Sequence, residues 1–103
     1  MHPLIARHNR EIAALCRRYH VRRLEVFGSA ARGNDFDPEH SDADFLVEFE
    51  AENDMATLGQ FFEFRDQLSG VVGRPVDLVE AGAVRNPYIL ESINRSREVV
   101  YGT

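Results

Sequence analysis

Two aspartates, Asp42 and Asp44, stand two residues apart at the start of the apolar segment "DFLVEF". Side chains two apart on a strand point to the same face of a sheet, with backbone positions about 6–7 Å apart. Two carboxylates that face the same way repel each other unless one is protonated or a cation lies between them. The spacing therefore indicates a cation site, and hard oxygen ligands of this kind suit Mg²⁺.

A third aspartate, Asp77, lies inside the apolar segment "PVDLV", where an acidic side chain is a poor choice for packing alone. If its strand lies beside the strand of Asp44, the three carboxylates form one cluster. Such a cluster can hold two metal ions about 3.5–4 Å apart for an in-line displacement at phosphorus. The structural alternative is that Asp42 caps a turn or helix and Asp44 is a charge at the strand entry.

The pair Gly28–Ser29 ends the preceding strand and offers a place for an anion. Glycine lets the backbone approach a ligand closely, and the Ser29 hydroxyl with the following amides would form a helix N-terminus that favours negative charge. The pair fits neither a P-loop, which needs G-x-x-x-x-G-K-[ST], nor a dinucleotide-binding turn, which needs G-x-G-x-x-G. Taken alone, the pair is explained equally well as a plain turn.

Other residue types that carry chemistry give no further site. Asp35 and Asp37 lie in a turn, and a calcium loop that begins at Asp35 lacks the required Gly and Glu. The single cysteine, Cys16, excludes an intrachain disulfide and fits a small core residue. The histidines lack metal-ligand spacing and are predicted to be structural or exposed: His2, His8, His20 and His40.

Helical and strand patterns alternate along the chain in the order αβαβαβαβ. They predict an α/β (α+β) fold, with a mixed central sheet of about four strands and helices packed against it. The predicted helices cover about 3–19, a short turn at 29–32, a segment within 51–73, and about 86–95 with Asn86 as cap. The predicted strands cover 21–27, 44–49 and 74–80, with "REVVYG" as a short strand at the sheet edge.

The helix within 51–73 carries several apolar residues. Asn53 or Asp54 is a plausible N-cap. A buried stripe is predicted at Leu58, Phe61, Phe62 and Leu68.

Composition restricts the class of protein. A length of 103 residues with 44% hydrophobic residues fits one domain over 1–103 with its own core. The net charge of −5 has the wrong sign for bulk attraction to phosphates, so stable nucleic-acid binding is not expected. No apolar run approaches the ~20 residues of a membrane span, and the N-terminus becomes charged too early for a signal peptide. A cytoplasmic location is expected.

The motifs together are more specific than each alone. The order "GSAARG…SDADFLVEF…VDLV" resembles the DNA-polymerase-beta-like nucleotidyltransferase superfamily, whose pattern is a Gly-Ser turn, then Asp-x-Asp, then a third Asp on a separate strand. The small size makes the chain similar to the minimal nucleotidyltransferases, or MNT proteins, of bacteria and archaea. The resemblance covers nearly the whole chain and five defining positions in the right order.

The resemblance implies a nucleotidyltransferase fold and specific roles. Gly28 and Ser29 would hold the β- and γ-phosphates of a nucleoside triphosphate, taken as ATP. Asp42 and Asp44 would bind the metal ions that bridge those phosphates, and Asp77 would bind the catalytic metal and help deprotonate the attacking hydroxyl. Two Mg²⁺ ions are implied, with Mn²⁺ as an alternative.

Arg32 has two interpretations in the same frame. It could contact a phosphate of the nucleotide, or it could be an exposed helix residue.

The resemblance also implies a partner. Larger relatives carry an additional helical domain that grips base and acceptor, and this chain has no room for one, so a second copy or a partner chain would complete the site. In the minimal family the partner resembles a HEPN-type toxin, to which the antitoxin adds AMP on a tyrosine. Two alternatives stay open: a non-catalytic module that neutralises a toxin by contact, and nucleotidyl transfer to a small molecule such as an aminoglycoside.

Overall fold

The computed structural model describes residues 2–32, 42–50 and 58–102. Its strands are β1 (Val21–Phe27), β2 (Ala43–Phe49), β3 (Val76–Glu80) and β4 (Glu98–Tyr101). They form one mixed sheet in the order β3-β2-β1-β4, in which β2 pairs parallel with β3 and antiparallel with β1, and β1 pairs antiparallel with β4. The predicted fold class and the edge position of the last strand are confirmed.

Helices alternate with these strands along the chain. They are α1 (Pro3–Arg7), α2 (Asn9–Arg18), α3 (Ser29–Arg32), α4 (Leu58–Val72) and α5 (Pro87–Ser96), with a short 3₁₀ turn at Ala81–Ala83 before α5. The start of α5 agrees with the sequence, because Asn86 Oδ1 accepts a hydrogen bond of 2.9 Å from the Tyr88 N–H. Pro87 takes the first helical position, where no backbone donor is needed.

The single helix predicted over 3–19 is wrong, because the chain forms two helices that meet at His8. This residue has φ −100° and ψ 16°, and its N–H closes α1 on the carbonyl oxygen of Ile5. Its ring lies 2.8 Å from the Glu11 carboxylate at the start of α2. Ile5 and Ile12 are both fully buried, so the apolar spacing was interpreted correctly although no Gly or Pro marks the break.

The main core lies between α2, α4 and one face of the sheet. Phe45 and Val47 alternate on that face of β2 and are fully buried against residues that include Phe64 of α4. The Phe64 ring meets Tyr19 edge-on at a centroid distance of 5.6 Å. Cys16 belongs to the same core, and burial raises the pKa of its thiol to about 12, against a smaller opposite effect of Arg17. The prediction of a core cysteine is confirmed.

The buried stripe of α4 differs from the predicted one. Leu58 is 71% exposed and Phe62 is 40% exposed, whereas Phe64, Leu68 and Val72 are buried. These three residues are four apart, which places them on one side of the helix. Leu68 is therefore confirmed, Phe61 is half-buried, and the prediction for Leu58 and Phe62 is wrong. The predicted caps Asn53 and Asp54 lie outside the described residues.

The opposite face of the sheet is covered by α5. Leu46 alternates with the core residues of β2, and it pairs in register with Glu25 of β1. Ile93 of α5 and Leu46 are both buried but stand outside the main core. Arg97, which follows α5, hydrogen-bonds Glu25 from this side. The face that carries Glu25 and Leu46 is also the face of Asp44, since residues two apart share a side.

Candidate active site

Two of the three predicted carboxylates are brought together by strand register. Asp44 of β2 is paired directly with Asp77 of β3, and on its other side with Phe27 of β1. Adjacent strands are about 4.8 Å apart, and paired residues of parallel strands project to the same face. Asp44 is half-buried and Asp77 is exposed. The condition set by the sequence, that the strand of Asp77 lies beside the strand of Asp44, is met.

Asp42 lies just before β2 and is exposed. It is two residues from Asp44, while Ala43 and Phe45 are fully buried on the other side and anchor the start of the strand. The Ala43 N–H donates to the Pro75 carbonyl oxygen at 3.0 Å, which extends the β2–β3 pairing up to this end. Alternation therefore places Asp42 at the same end of the sheet as the Asp44–Asp77 pair.

Gly28 brings the backbone of the next turn against Asp44. Its φ is 69°, and a Cβ built on it would lie 2.7 Å from Asp44 Oδ2. Its N–H donates to Ser96 Oγ at 2.8 Å, and its carbonyl oxygen accepts from the Ala31 N–H at 3.1 Å. A residue with a side chain would be strained here by both the backbone angle and the contact.

The other residues of this loop are described only in part. Ser29 and Arg32 begin and end α3, which has four residues, and their side chains lie outside the described structure. Their predicted contacts with phosphate stay predictions. The described residues also exclude the segment 33–41, which contains Gly33, Asp35, Asp37, His40 and Ser41.

The donor chemistry of the site fits a divalent cation, although its side chains do not form a closed set of ligands. All three candidates are carboxylates, the hard oxygen donors that Mg²⁺ prefers. Within 2–32, 42–50 and 58–102, however, no three His, Cys, Asp or Glu side chains are grouped so that they could hold a metal ion. The backbone register, and not a ready-made ligand cage, is what brings Asp44 and Asp77 together.

The described histidines take the structural or exposed positions predicted for them. His2 caps α1 by accepting the Leu4 N–H on Nδ1 at 3.0 Å, and the His20 side chain is 60% exposed.

A buried charged group on the same face was missed by the sequence analysis. Glu25 is 2% exposed, and its Oε2 accepts a hydrogen bond of 2.6 Å from Arg97 Nε. Its Oε1 forms an ion pair with Arg23 Nη2 at 2.6 Å. The geometry of this pair is not that of a hydrogen bond, so Oε1 has no hydrogen-bond partner in the described part of the chain. The only signal in the sequence was an acidic residue between Leu24 and Val26.

A large cavity among the described residues does not coincide with the carboxylates. It measures about 950 Å³ and lies at the opposite end of β2 and β3, where Phe49, Leu78 and Glu80 line it with the first turns of α4. None of the predicted site residues lines this cavity. Among the helices of the described segments, none combines the length and apolar character needed to cross a bilayer.

Comparison with known proteins identifies relatives over most of the chain. The family described as "Nucleotidyltransferase domain" matches residues 10–100. A Methanocaldococcus jannaschii protein provisionally named a protein adenylyltransferase is 46% identical over 76 residues, which are 74% of this chain and 72% of that protein. The protein adenylyltransferase MntA of Thermococcus cleftensis is 34% identical over 98 residues, which are 95% of this chain and 88% of that protein.

A solved structure shares the fold. It is that of a tri-AMPylated Shewanella oneidensis HEPN toxin in complex with an MNT antitoxin. The match has a TM-score of 0.67 at 18% identity and covers 96% of this chain and 73% of the matched chain.

Proposed function

The chain belongs to the nucleotidyltransferase domain family and is a nucleotidyltransferase, and from this premise we propose that it transfers AMP from ATP to a tyrosine hydroxyl of a HEPN-type partner toxin. In this role it acts as an antitoxin. The resemblance to minimal nucleotidyltransferases is thereby confirmed at the level of the family and the enzyme class. The acceptor, the nucleotide and the residue roles belong to the proposal.

The pairing of Asp44 with Asp77 is the observation that carries this proposal. Two acidic residues side by side at one end of a sheet, with a third two positions away, concentrate negative charge. The Gly28 backbone stands directly against Asp44, where no side chain fits. Carboxylates placed in this way could bind divalent cations, and the cations could bind the phosphates of a nucleoside triphosphate.

The proposed reaction is an in-line displacement at the α-phosphorus of ATP. The acceptor oxygen forms a bond to this phosphorus, the bond to the β-phosphate bridging oxygen breaks, and pyrophosphate leaves with the electron pair. Asp77 takes the proton of the attacking hydroxyl. Positioning and charge stabilisation supply most of the catalysis in this kind of transfer.

The metal would be held by Asp42, Asp44 and Asp77, which are all oxygen donors. Two Mg²⁺ ions, or Mn²⁺ in their place, would neutralise charge on the phosphates when bound. Gly28 contributes by leaving space beside Asp44, and Ser29 and Arg32 are proposed to contact the phosphates.

The proposed partner rests on named relatives. The fold is shared with a structure of an AMPylated HEPN toxin bound to its MNT antitoxin, and two relatives are named protein adenylyltransferases. An acidic chain of net charge −5 would also attract a basic partner over a long range. A HEPN-type protein would bring both the acceptor hydroxyl and the surface that completes the site.

Label transfer tests the function directly. The chain is incubated with α-labelled ATP, Mg²⁺ and a HEPN-type protein encoded beside it, and the label on each protein is measured. We expect label on the partner, and a loss of at least about a hundredfold in the double variant Asp42→Ala/Asp44→Ala and in Asp77→Ala. Asp66→Ala is the matched control, because Asp66 is an exposed aspartate of α4 paired only with its neighbour Arg65 among the described contacts.

Three outcomes are informative. Full activity of the Asp77 variant would contradict its proposed role. Equal neutralisation of the toxin by wild type and variants, with no label on the partner, would favour the contact-only module. Label on a small molecule in place of the protein would favour the other alternative.

A further inference from the structure

The amide of Gly28 is satisfied by a residue far along the chain. Phe27 and Asp44 form the last pair of the β1–β2 ladder, so the next N–H has no strand partner in that pairing. It donates instead to Ser96 Oγ at 2.8 Å, across a sequence separation of 68 residues. Ser96 is the last residue of α5, and its hydroxyl reaches the turn at the very point where the backbone enters the left-handed region.

The neighbouring residues fix Ser96 to the same strand. Arg97 donates to Glu25 Oε2 at 2.6 Å, and Glu98 pairs with Val26 in the β1–β4 ladder. The Arg97 N–H also closes α5 on the Ile93 carbonyl oxygen at 2.8 Å, so the helix end is well defined. The junction of α5 and β4 therefore holds the end of β1 through a side chain, an ion pair and a backbone ladder.

We propose that Ser96 is a positioning residue for nucleotidyl transfer, an inference that rests on the proposed function. It holds Gly28 against Asp44 and so sets the distance between the turn and the carboxylates. Reactions of this kind depend on placement, and a misplacement of about 1 Å can cost about a hundredfold in rate. The junction of α5 and β4 thus acts on the site without contacting the nucleotide.

The same hydrogen bond refines the role of Gly28. Its single N–H is donated to Ser96, so it is not the group that binds a phosphate oxygen. Gly28 instead provides the positive φ and the absence of a side chain, which let the turn approach Asp44. Phosphate contacts from the turn then fall to the residues that follow it.

Three variants on the same helix separate positioning from stability. Ser96→Ala removes the acceptor, and Ser96→Thr keeps a hydroxyl at the same position. Asn86→Ala removes the cap at the other end of α5, so it costs one hydrogen bond far from Gly28. For each variant, melting temperature, Mg²⁺–ATP affinity, kcat and KM are measured, together with amide hydrogen exchange at Gly28 by NMR.

For Ser96→Ala we expect Gly28 exchange at least tenfold faster and kcat/KM for ATP lower by about tenfold to a hundredfold. Ser96→Thr restores both to within about threefold of wild type. Asn86→Ala lowers the melting temperature to a similar extent but leaves Gly28 exchange and kcat/KM within about twofold of wild type.

The proposal is overturned if Ser96→Ala leaves Gly28 exchange unchanged, or if its kcat/KM falls no further than that of Asn86→Ala. A wild-type chain that binds no Mg²⁺–ATP and transfers no nucleotide would instead refute the proposed function, and with it the effect of Ser96 on nucleotidyl transfer. Gly28 exchange would still decide whether Ser96 holds the turn.

Discussion

Gly28 has a φ of 69°, and a methyl group on its Cα would stand 2.7 Å from Asp44 Oδ2. Gly28→Ala therefore has two costs. An alanine in the left-handed region is strained by about 1–2 kcal/mol. Its Cβ would also stand closer to Asp44 than real Cβ atoms approach other atoms. We expect the free energy of unfolding to fall by about 2–4 kcal/mol and nucleotidyl transfer to be lost. Urea unfolding and label transfer measure the two effects.

Two other glycines separate the causes of that loss. Gly73 has a φ of 73°, and no described residue beyond its neighbours in the chain lies within 4 Å of a Cβ built on it, so Gly73→Ala reports the backbone strain without the contact. Gly70 lies inside α4 with open space around it, and Gly70→Ala is expected to stabilise the chain by about 0.5–1 kcal/mol. If Gly28→Ala cost no more than Gly73→Ala, the contact with Asp44 would have no energetic weight.

The residues of the site differ in how far sequence alone predicts them. The pairing of Asp44 with Asp77, and the end of the sheet at which Asp42 lies, could be predicted because strand alternation decides which side chains share a face, and because an acid inside an apolar segment is unusual. Ser96 could not be found, since its contact with Gly28 joins residues 68 positions apart and no local pattern encodes that distance. Glu25 was missed because alternation reveals its face but not the helix that covers it.

For the helices, too, features set by neighbouring residues were predicted from the sequence, and features set by distant contacts were not. The cap and the proline of α5 were predicted correctly because Asn86 and Pro87 act on the backbone next to them. The break at His8 was not predicted, because no Gly or Pro marks it in the sequence. The orientation of α4 was not predicted either, because packing against the sheet decides it. Phe61 and Phe62 are adjacent in the helix and cannot both face the core, yet apolar character alone does not say which phenylalanine does.

The orientation of α4 can be tested with two phenylalanines. Phe64 is fully buried, with rings at 5.6 Å and 6.1 Å, whereas Phe62 is 40% exposed. Phe64→Ala removes a buried ring and leaves a cavity, so we expect a loss of about 3–5 kcal/mol in the free energy of unfolding. Phe62→Ala, the matched control two positions away, is expected to cost less than about 1 kcal/mol. Equal losses in urea unfolding would mean that the helix is rotated.

The attachment of α5 and β4 to β1 depends on Glu25. Glu25→Ala leaves the cations of Arg23 and Arg97 without their shared anion, and removal of one member of a buried ion pair costs about 3–5 kcal/mol. Both arginine side chains are 37% exposed and can regain water, so we expect about 2–3 kcal/mol by urea unfolding.

An exposed ion pair between β1 and β2 is the control for Glu25. Glu48 lies 3.0 Å from Arg22, with the two side chains 44% and 68% exposed. Glu48→Ala is expected to change the free energy of unfolding by less than about 1 kcal/mol. A Glu25→Ala loss as small as this would show that the buried pair does not hold the junction.

At the scale of the whole molecule, the sheet order brings distant parts of the chain to one end. β1 delivers Gly28, β2 and β3 deliver Asp44 and Asp77, and the last helix returns to the same end with Ser96. Parallel pairing of β2 with β3 requires the crossover through α4, and the path from β3 to β4 requires α5. The site is therefore a product of the complete fold, and ligands that bind it should stabilise the chain as a unit.

The melting temperature in the presence of ligands tests this coupling. A net charge of −5 and the acidic end of the sheet disfavour a bare triphosphate, so ATP alone should have little effect. Mg²⁺ alone should also have little effect, because the described side chains offer it no closed set of ligands without the phosphates. Together at about 100 times the dissociation constant they should add about 2.7 kcal/mol, which corresponds to about 10 °C or more for a domain of this size. The double variant Asp44→Asn/Asp77→Asn should lose this joint shift while its own melting temperature stays near that of wild type or above it, because like charges have been removed. A shift with ATP and Mg²⁺ no larger than the sum of the separate shifts would mean that the cation and the triphosphate do not share this site.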